Sequence, residues 1–476
     1  MNHVLCGLAA NVALPSELVD RLITIADSDV AREIARRADL GHTQAVALAA
    51  HVPESAGQLA GEGRLTVADV DPVTQPDAAL ALLSERAGPP EWARVLAADP
   101  TPERRERLAA CPGLPSDVVA ALAADPDAGV VAELALWAPA DVAARLAEHP
   151  RAEVRRAVAA NEATPAAVLA ALATEDDPPW HGIRQAALEN PAAPGEVLAT
   201  FHDHPSMHLR RPLAARPDLP PWAYERLAAD PEPCVRAELA ENPALPTTVM
   251  RTLVAGPDPD LEVRRGLARN PHVPLGILTR LAGTAKVGAT LLPRIAAAST
   301  AEVEELAQSP DPAVRGLVAQ RRDLPPGVRD VLAEDPDAKV VKSVAPHPGL
   351  SEARLRAMVD RHGERVVAAV TANPEASPAL LAELAGFPVR KALCTIARHR
   401  NATAPALLAC LTVERARRIA AGHPALPADA IVKLLTDHDW QVVEAAAANP
   451  SLPREVMSHL VEAHGKLTGR QADGVC

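Results

Sequence analysis

Aromatic side chains are nearly missing from this 476-residue chain, with Phe, Trp and Tyr together at 2%. Its core must therefore be built from Ala, Leu and Val, which suits thin helical layers whose backbones approach closely. Glycine is scarce too, at 24 residues against 47 prolines. Six cysteines (Cys6, Cys111, Cys234, Cys394, Cys410 and Cys476) lie far apart with no Cys-x-x-Cys pair, so neither a disulfide framework nor a zinc or iron–sulfur signature is present. Apolar runs of about 18 residues are absent, which excludes a helical membrane span. The N-terminus offers only a short apolar run from Val4 to Ala10, without a basic stretch, so no signal peptide is expected and the cytoplasm is the expected compartment. A basic excess is missing as well: the net charge is −13, which disfavours general nucleic-acid binding. No dinucleotide or phosphate loop, no Gly-x-Ser-x-Gly elbow and no His-Glu-x-x-His occurs. Neither a cofactor nor a metal is expected.

What the chain does contain is one phrase repeated from end to end. From Asn242 it reads NPALPTTVMRTLVAGPDPDLEVRRGLAR, and at Asn270 it begins again as NPHVPLGILTRLAG. Its second proline recurs as Pro165, Pro194, Pro220, Pro246 and Pro274, then as Pro325, Pro378, Pro405, Pro427 and Pro453, with Ser351 in a proline place and Pro115 and Pro15 upstream. A fixed period of about 26 residues signals a stacked array of roughly 18 units. The prolines fall in register beside apolar runs, where they punctuate helices, whereas disordered Pro-rich sequence lacks such periodicity.

One unit shows how the phrase should fold. Pro246 presets φ in a first turn where its missing N–H costs nothing, and Val249, Met250 and Leu253 then give one apolar face. Gly256-Pro257-Asp258-Pro259 must end that helix. A second short helix carries Val263, Leu267 and Ala268 on its buried side, and Asn270-Pro271 stops it, with Asn tolerant of the left-handed conformation. Helices this short are unstable alone, so stacking must supply the stability.

The phrase Leu-Pro-x-x-Val-Leu-x-x-Leu-Ala, with Asp-Pro and Val-Arg-x-x-Leu-Ala, resembles the leucine-rich repeat variant family, a bacterial relative in style of HEAT repeats. The resemblance covers about four-fifths of the chain by register. It implies an all-α, right-handed α-solenoid of roughly 18 two-helix repeats (an α-helix plus a short α- or 3₁₀-helix) of about 26 residues. A described member carries an N-terminal cysteine cluster for an iron–sulfur centre. Cys6 stands alone here, so that feature is not carried over. The expected layout is a single continuous array over 1–476: N-terminal repeats in 1–50, degenerate repeats in 51–100, regular repeats in 101–282, a degenerate stretch in 283–308, regular repeats in 309–460 and a tail in 461–476. The abundance of Ala, Arg and Pro points to a GC-rich bacterial source.

Two columns carry polar side chains. The position after the apolar residue of the second helix holds Arg105, Arg155, Arg184, Arg210, Arg236, Arg264, Arg315 and Arg417, with Val131, Val341, Val367 and Val443 elsewhere. Such a ladder could grip carboxylates or phosphates of a partner, and Arg155, Arg184, Arg210, Arg236, Arg264 and Arg315 are the candidate partner-binding residues. The plainer alternative is that each Arg bonds the Asp of a neighbouring Asp-Pro turn and holds units in register. The second column is Asn11, Asn161, Asn190, Asn242, Asn270, Asn373 and Asn449. Asn ladders can hold peptide backbone, but a local cap at the helix end accounts for these.

The remaining features are weaker. His202, His204 and His208 could ligate a metal only if the Pro205 turn brought them together, and Asp437-His438-Asp439 is a similar turn, so solvated loops are expected. Acid pairs such as Glu175-Asp176-Asp177 and Glu304-Glu305 read as solvated faces, and Cys111 and Cys234 as packing residues. Of Trp92, Trp137, Trp180, Trp222 and Trp440, Trp180 and Trp222 follow Pro-Pro steps, where a ring could anchor a partner or plug a joint. The expected function is a non-catalytic scaffold that binds a protein or peptide along a concave surface. The alternative is an enzyme or enzyme accessory on a HEAT-like scaffold, in the manner of some lyases and DNA glycosylases.

Overall fold

A computed structural model describes residues 3–175, 182–255 and 260–472 of the chain. It is all-α, and among the described residues there is no strand. Each regular repeat is a pair of short antiparallel-style elements joined by a turn, and both elements are α-helical where the repeat is regular. The unit read from the sequence is a fair sample. Its first helix is Thr247–Ala255, burying Val249, Met250 and Leu253, and its second is Leu261–Arg269, burying Val263, Gly266, Leu267 and Ala268. The Gly256–Pro259 turn, Asp176, Asp177, Trp180 and Cys476 lie outside the described residues.

One expectation about the stop signal is corrected. Asn270 has φ −63° and ψ 124°, and Asn161, Asn190 and Asn242 are similarly extended rather than left-handed. Asn190, Asn242 and Asn270 precede proline, which pushes its predecessor into extended backbone; Asn161 takes the same conformation ahead of Glu162.

The second helices form the tight layer. Pro233–Glu241 packs on Leu261–Arg269, Ala128–Trp137 on Ala152–Ala160, and Ala152–Ala160 on Ile183–Glu189. Close approach demands small residues there. A Cβ on Gly266 would stand 2.4 Å from the Ala237 carbonyl oxygen and 3.0 Å from the Ala240 methyl. First helices also stack on first helices, as Pro221–Ala228 does on Thr247–Ala255. Short and 3₁₀ elements occur where the register of the phrase fades and also inside it, as at Ala199–Asp203. Residues 51–100 contain the 3₁₀ turns Pro53–Ser55 and Val67–Asp69, and 283–308 contain only Pro293–Ala296 and Thr300–Ala307.

The described residues divide into two compact units, one of 89–328 and one of 1–88 together with 329–476. Within the latter, the segment read as a tail continues the helix Arg454–Ala472, a first helix in repeat position. The place of a second helix beside it is taken by His3–Ala10, which lies on Trp440–Ala447 on one side and on Ser28–Ala35 on the other. First helices follow suit, with Arg454–Ala472 against Ser16–Ile23. The first and last helices of the chain thus complete one composite repeat. Gly7 marks its tightness: a Cβ there would lie 2.3 Å from the Glu444 carbonyl oxygen, the same crowding seen at Gly266.

Each repeat contacts mainly its neighbours, so damage should stay local. Leu267 has no exposed surface, and Leu267→Ala is expected to cost about 2–5 kcal/mol. Hydrogen exchange should rise in the repeats around 247–269 only; a rise of equal size along the entire chain would contradict a stack of neighbour-coupled units.

Candidate functional site

The helix-ending column is an inter-repeat ladder. A helix end leaves carbonyls without intrahelical donors, and burial makes them costly unless something else donates. Asn270 Nδ2 donates to the carbonyls of Ala240 (3.0 Å) and Asn242 (2.7 Å) in the repeat before it. Asn242 does the same to Ala214 and Arg216, Asn190 to Ala159 and Asn161, Asn161 to Ala135 and Ala138, Asn373 to Ala345 and His347, and Asn449 to Ala421 and His423. Meanwhile Asn270 Oδ1 accepts from the His272 amide two residues on, the local cap that was expected. The cap is therefore half of the role. All seven asparagines are buried.

Other residues occupy the same place and do the same work. Arg37 Nη1 donates to Ala9 and Asn11, Arg216 Nη1 to Leu188 and Asn190, and Arg321 Nη1 to Ile295 and Ala298. A guanidinium carries a charge that an amide does not, and each of these has an Asp two residues later. Arg216 forms a two-pronged pair with Asp218 (2.9 and 2.8 Å), as Arg37 does with Asp39 and Arg321 with Asp323. The paired guanidinium holds the Asp39 and Asp323 carboxyls below the usual carboxylate range. His399 faces the Asn373 carbonyl at 2.8 Å and His423 the His399 carbonyl at 3.2 Å. These substitutes were missed in the sequence, although Arg-x-Asp-Leu at 37, 216 and 321 was a legible signal. Cys111 sits at this position as well, but its thiol donates to the Arg107 carbonyl of its own helix at 3.3 Å and is pushed up to about 11 by burial.

The ladder includes the composite repeat. Asn11 Nδ2 donates to the carbonyls of Ala447 (2.9 Å) and Asn449 (2.8 Å), as if residue 11 followed residue 449 by one repeat. Around it His3 stacks on Trp440 with ring centres 4.4 Å apart and meets Glu444 at 3.2 Å, while Arg454 pairs with Glu17.

The candidate arginine column lies six residues ahead of the ladder, and its side chains turn inward. Arg210 bonds both carboxylate oxygens of Asp230 (2.7 and 3.0 Å), 20 residues on, and also the His204 and Pro205 carbonyls. Arg105 treats Asp125 and the Asp99 carbonyl alike, and holds the Asp125 carboxyl below its ordinary range. Arg155 reaches the His149 and Pro150 carbonyls and Glu175. Arg236 bonds the Asp230 and Pro231 carbonyls, Arg315 those of Ser309 and Pro310, and Arg417 the Leu411 carbonyl and Asp437. Arg184 bonds the Ala173 and Glu175 carbonyls and lies over the Phe201 ring at 5.6 Å. Arg264 is half-buried and also partnered. Arg210 is buried, and the other five candidates are half-buried.

The histidines of the 201–208 string are engaged separately. His202 faces the Ala199 carbonyl and packs edge-on to Trp222, His204 accepts from the Ser206 amide, and His208 is exposed. Among the described residues no group of three His, Cys, Asp or Glu side chains gathers. Trp137, Trp222 and Trp440 are exposed and Trp92 is half-buried.

A different column faces outward. Eight residues ahead of the ladder, four successive second helices carry Lys339, Arg365, Lys391 and Arg415, all exposed. Those helices (Ala338–Val344, Glu364–Val370, Arg390–Ile396 and Glu414–Ala421) pack one on the next. Lys342, Arg390 and Arg398 lie exposed beside the column. Among the described residues, no carboxylate lies within 4.0 Å of these seven cations. An open pocket of about 710 Å³ between the last two helices is lined by Arg390, Lys391, Cys394, Arg398 and Arg415, with the carboxylate Glu414 also at its wall.

No family model matches the chain, and no curated protein matches it. Solved structures do. One, described as a leucine-rich repeat variant with a novel repetitive structural motif, is 24% identical, with a TM-score of 0.32, and the match covers 48% of this chain and 87% of that one. Two engineered proteins from a structural genomics consortium are 16% and 14% identical, with TM-scores of 0.09 and 0.08. Each match covers 78% of this chain, and 96% and 98% of theirs. The chain is an all-α repeat protein.

The ladder makes a prediction that a local cap does not. Asn270→Ala is expected to cost about 1–3 kcal/mol, the price of leaving buried carbonyls without a donor. Asn270→Asp keeps the acceptor but removes both donors and sets a carboxylate against two carbonyls. Equilibrium unfolding should show Asp to be at least as damaging as Ala at neutral pH; an Asp variant as stable as the parent would reduce the ladder to capping.

Proposed function

We propose that this protein is a non-catalytic scaffold that takes an extended segment of a protein partner along its stacked second helices. The observation that supports it most is the outward column: equivalent positions of successive repeats present the same chemistry at one-repeat intervals, with their charges unspent. A linear ligand meets such a surface repeat by repeat, as the concave faces of helical arrays are used elsewhere. In this reading Arg155, Arg184, Arg210, Arg236, Arg264 and Arg315 keep their own repeats in register and do not themselves hold the partner. Reversing their charge should then weaken stability, because the same guanidinium groups tie the turns.

The test is a footprint. Whole chain is used to capture partners from native lysate, and hydrogen exchange is measured with and without the captured protein. Protection is expected over second helices of at least three consecutive repeats. Protection confined to a single pocket, or capture of no protein at all, would overturn the scaffold reading.

A further inference from the structure

We propose that the column Lys339, Arg365, Lys391 and Arg415 binds an extended acidic segment of a partner protein, carrying a carboxylate at about every third residue. The inference rests on the scaffold reading and specifies where and what the scaffold holds.

Three observations carry it. First, the cations are uncompensated in a chain that is otherwise acidic. Arg418, one turn along from Arg415, has Glu414 and Asp439 at 2.9 and 2.6 Å, and most arginines of the tight layer are likewise paired or bonded. Lys339, Arg365, Lys391 and Arg415 are not, within a net charge of −13. Second, the column is local. The same position holds Glu103, Glu153 and Glu262 in other repeats, and Gln441 follows Arg415. The column keeps one sign over four successive helices, and like charges repel one another; Glu364 and Glu414, one residue ahead of Arg365 and Arg415, offset that repulsion without forming a close ion pair to the column. Third, the neighbouring helix positions add Lys342, Arg390 and Arg398, and the pocket beside Lys391 gives a carboxylate room to approach from solvent.

Spacing sets the ligand. Packed helices stand about 8–10 Å apart, and a segment in the extended polyproline II conformation rises about 3.1 Å per residue with about three residues per turn, so one repeat matches about three residues and every third side chain returns to the same face. Four cations span about ten residues of partner on that scale. Carboxylates at every third position of such a segment would each meet one cation. Nucleic acid fits less well: the column offers no aromatic ring to stack a base. Trp440, on the next helix, is occupied by the His3 ring.

The experiment is fluorescence anisotropy with the full chain and a labelled peptide of about a dozen residues bearing Glu at every third position, alongside the same peptide with Gln in place of Glu. The triple variant Arg365→Glu, Lys391→Glu, Arg415→Glu is measured in parallel, with its hydrogen exchange checked against the parent; if it misfolds, the single Lys391→Glu replaces it. Binding of the Glu peptide is expected, weaker by about ten-fold or more in the triple variant and at raised salt, as charge complementarity at an exposed surface requires. Equal binding of the Gln peptide, unchanged binding in the variant, or no binding at all would overturn the proposal. A single-stranded oligonucleotide that bound more tightly and displaced the peptide would overturn the partner class. A footprint of captured protein on second helices away from 338–421, with no Glu-peptide binding, would reject this site while leaving the scaffold reading standing.

Discussion

Much of this structure leans on one arrangement: among the described residues, the carbonyls that end many of the second helices are satisfied by a side chain of the following repeat. A short helix cannot satisfy its own last carbonyls, and burial removes water as a partner. The side chain that solves this must be a donor with two N–H groups or an imidazole, must leave the helix sharply, and must sit one repeat further along. Asn does it most simply. The bond also fixes the axial register between repeats, so the apolar residues beneath (Val263 and Leu267 of one helix, Val235 and Leu239 of the next) meet in layers. Packing and polar satisfaction are thus set by the same residue.

The composite repeat extends that logic. His3–Ala10 and Arg454–Ala472 pack together as the two halves of one repeat. Joined, they bury Leu5, Leu8 and Met457, satisfy the carbonyls of Ala447 and Asn449 through Asn11, and use Gly7 where an internal joint uses Gly266. Repeat arrays otherwise need polar caps on their terminal units. Here the two helices cover each other within one compact body.

Much of this was legible in the sequence, and the limits were physical. Proline and apolar residues recur because helix starts and buried faces recur, so period, fold class and the buried set of the 242–269 unit could be read directly. The asparagines were visible, but their partners are not: a donor bond to a neighbouring repeat leaves the same letter as a cap. Arg37, Arg216 and Arg321 hid because the position conserves a geometry while changing chemical type. The joint between residues 11 and 449 is a contact across 438 positions, and no local pattern encodes such a pairing. The arginines at the −6 column drew attention by number, whereas the column two positions earlier, less uniform along the chain, is the one whose charges remain open to solvent. Number of occurrences measured how often the tie is needed.

The claim that a ladder joint is equivalent wherever it occurs is tested most directly by native-state hydrogen exchange of the helix His3–Ala10. An isolated terminal helix of eight residues would fray and exchange almost freely, since helices under about 12 residues are marginal alone. The account predicts that its amides are protected as strongly as those of Leu261–Arg269, and that Asn11→Ala lowers protection there and in Trp440–Ala447 together. Free exchange of residues 5–10 in the parent protein would show that the ends do not form a joint, and that the ladder stops at Asn449.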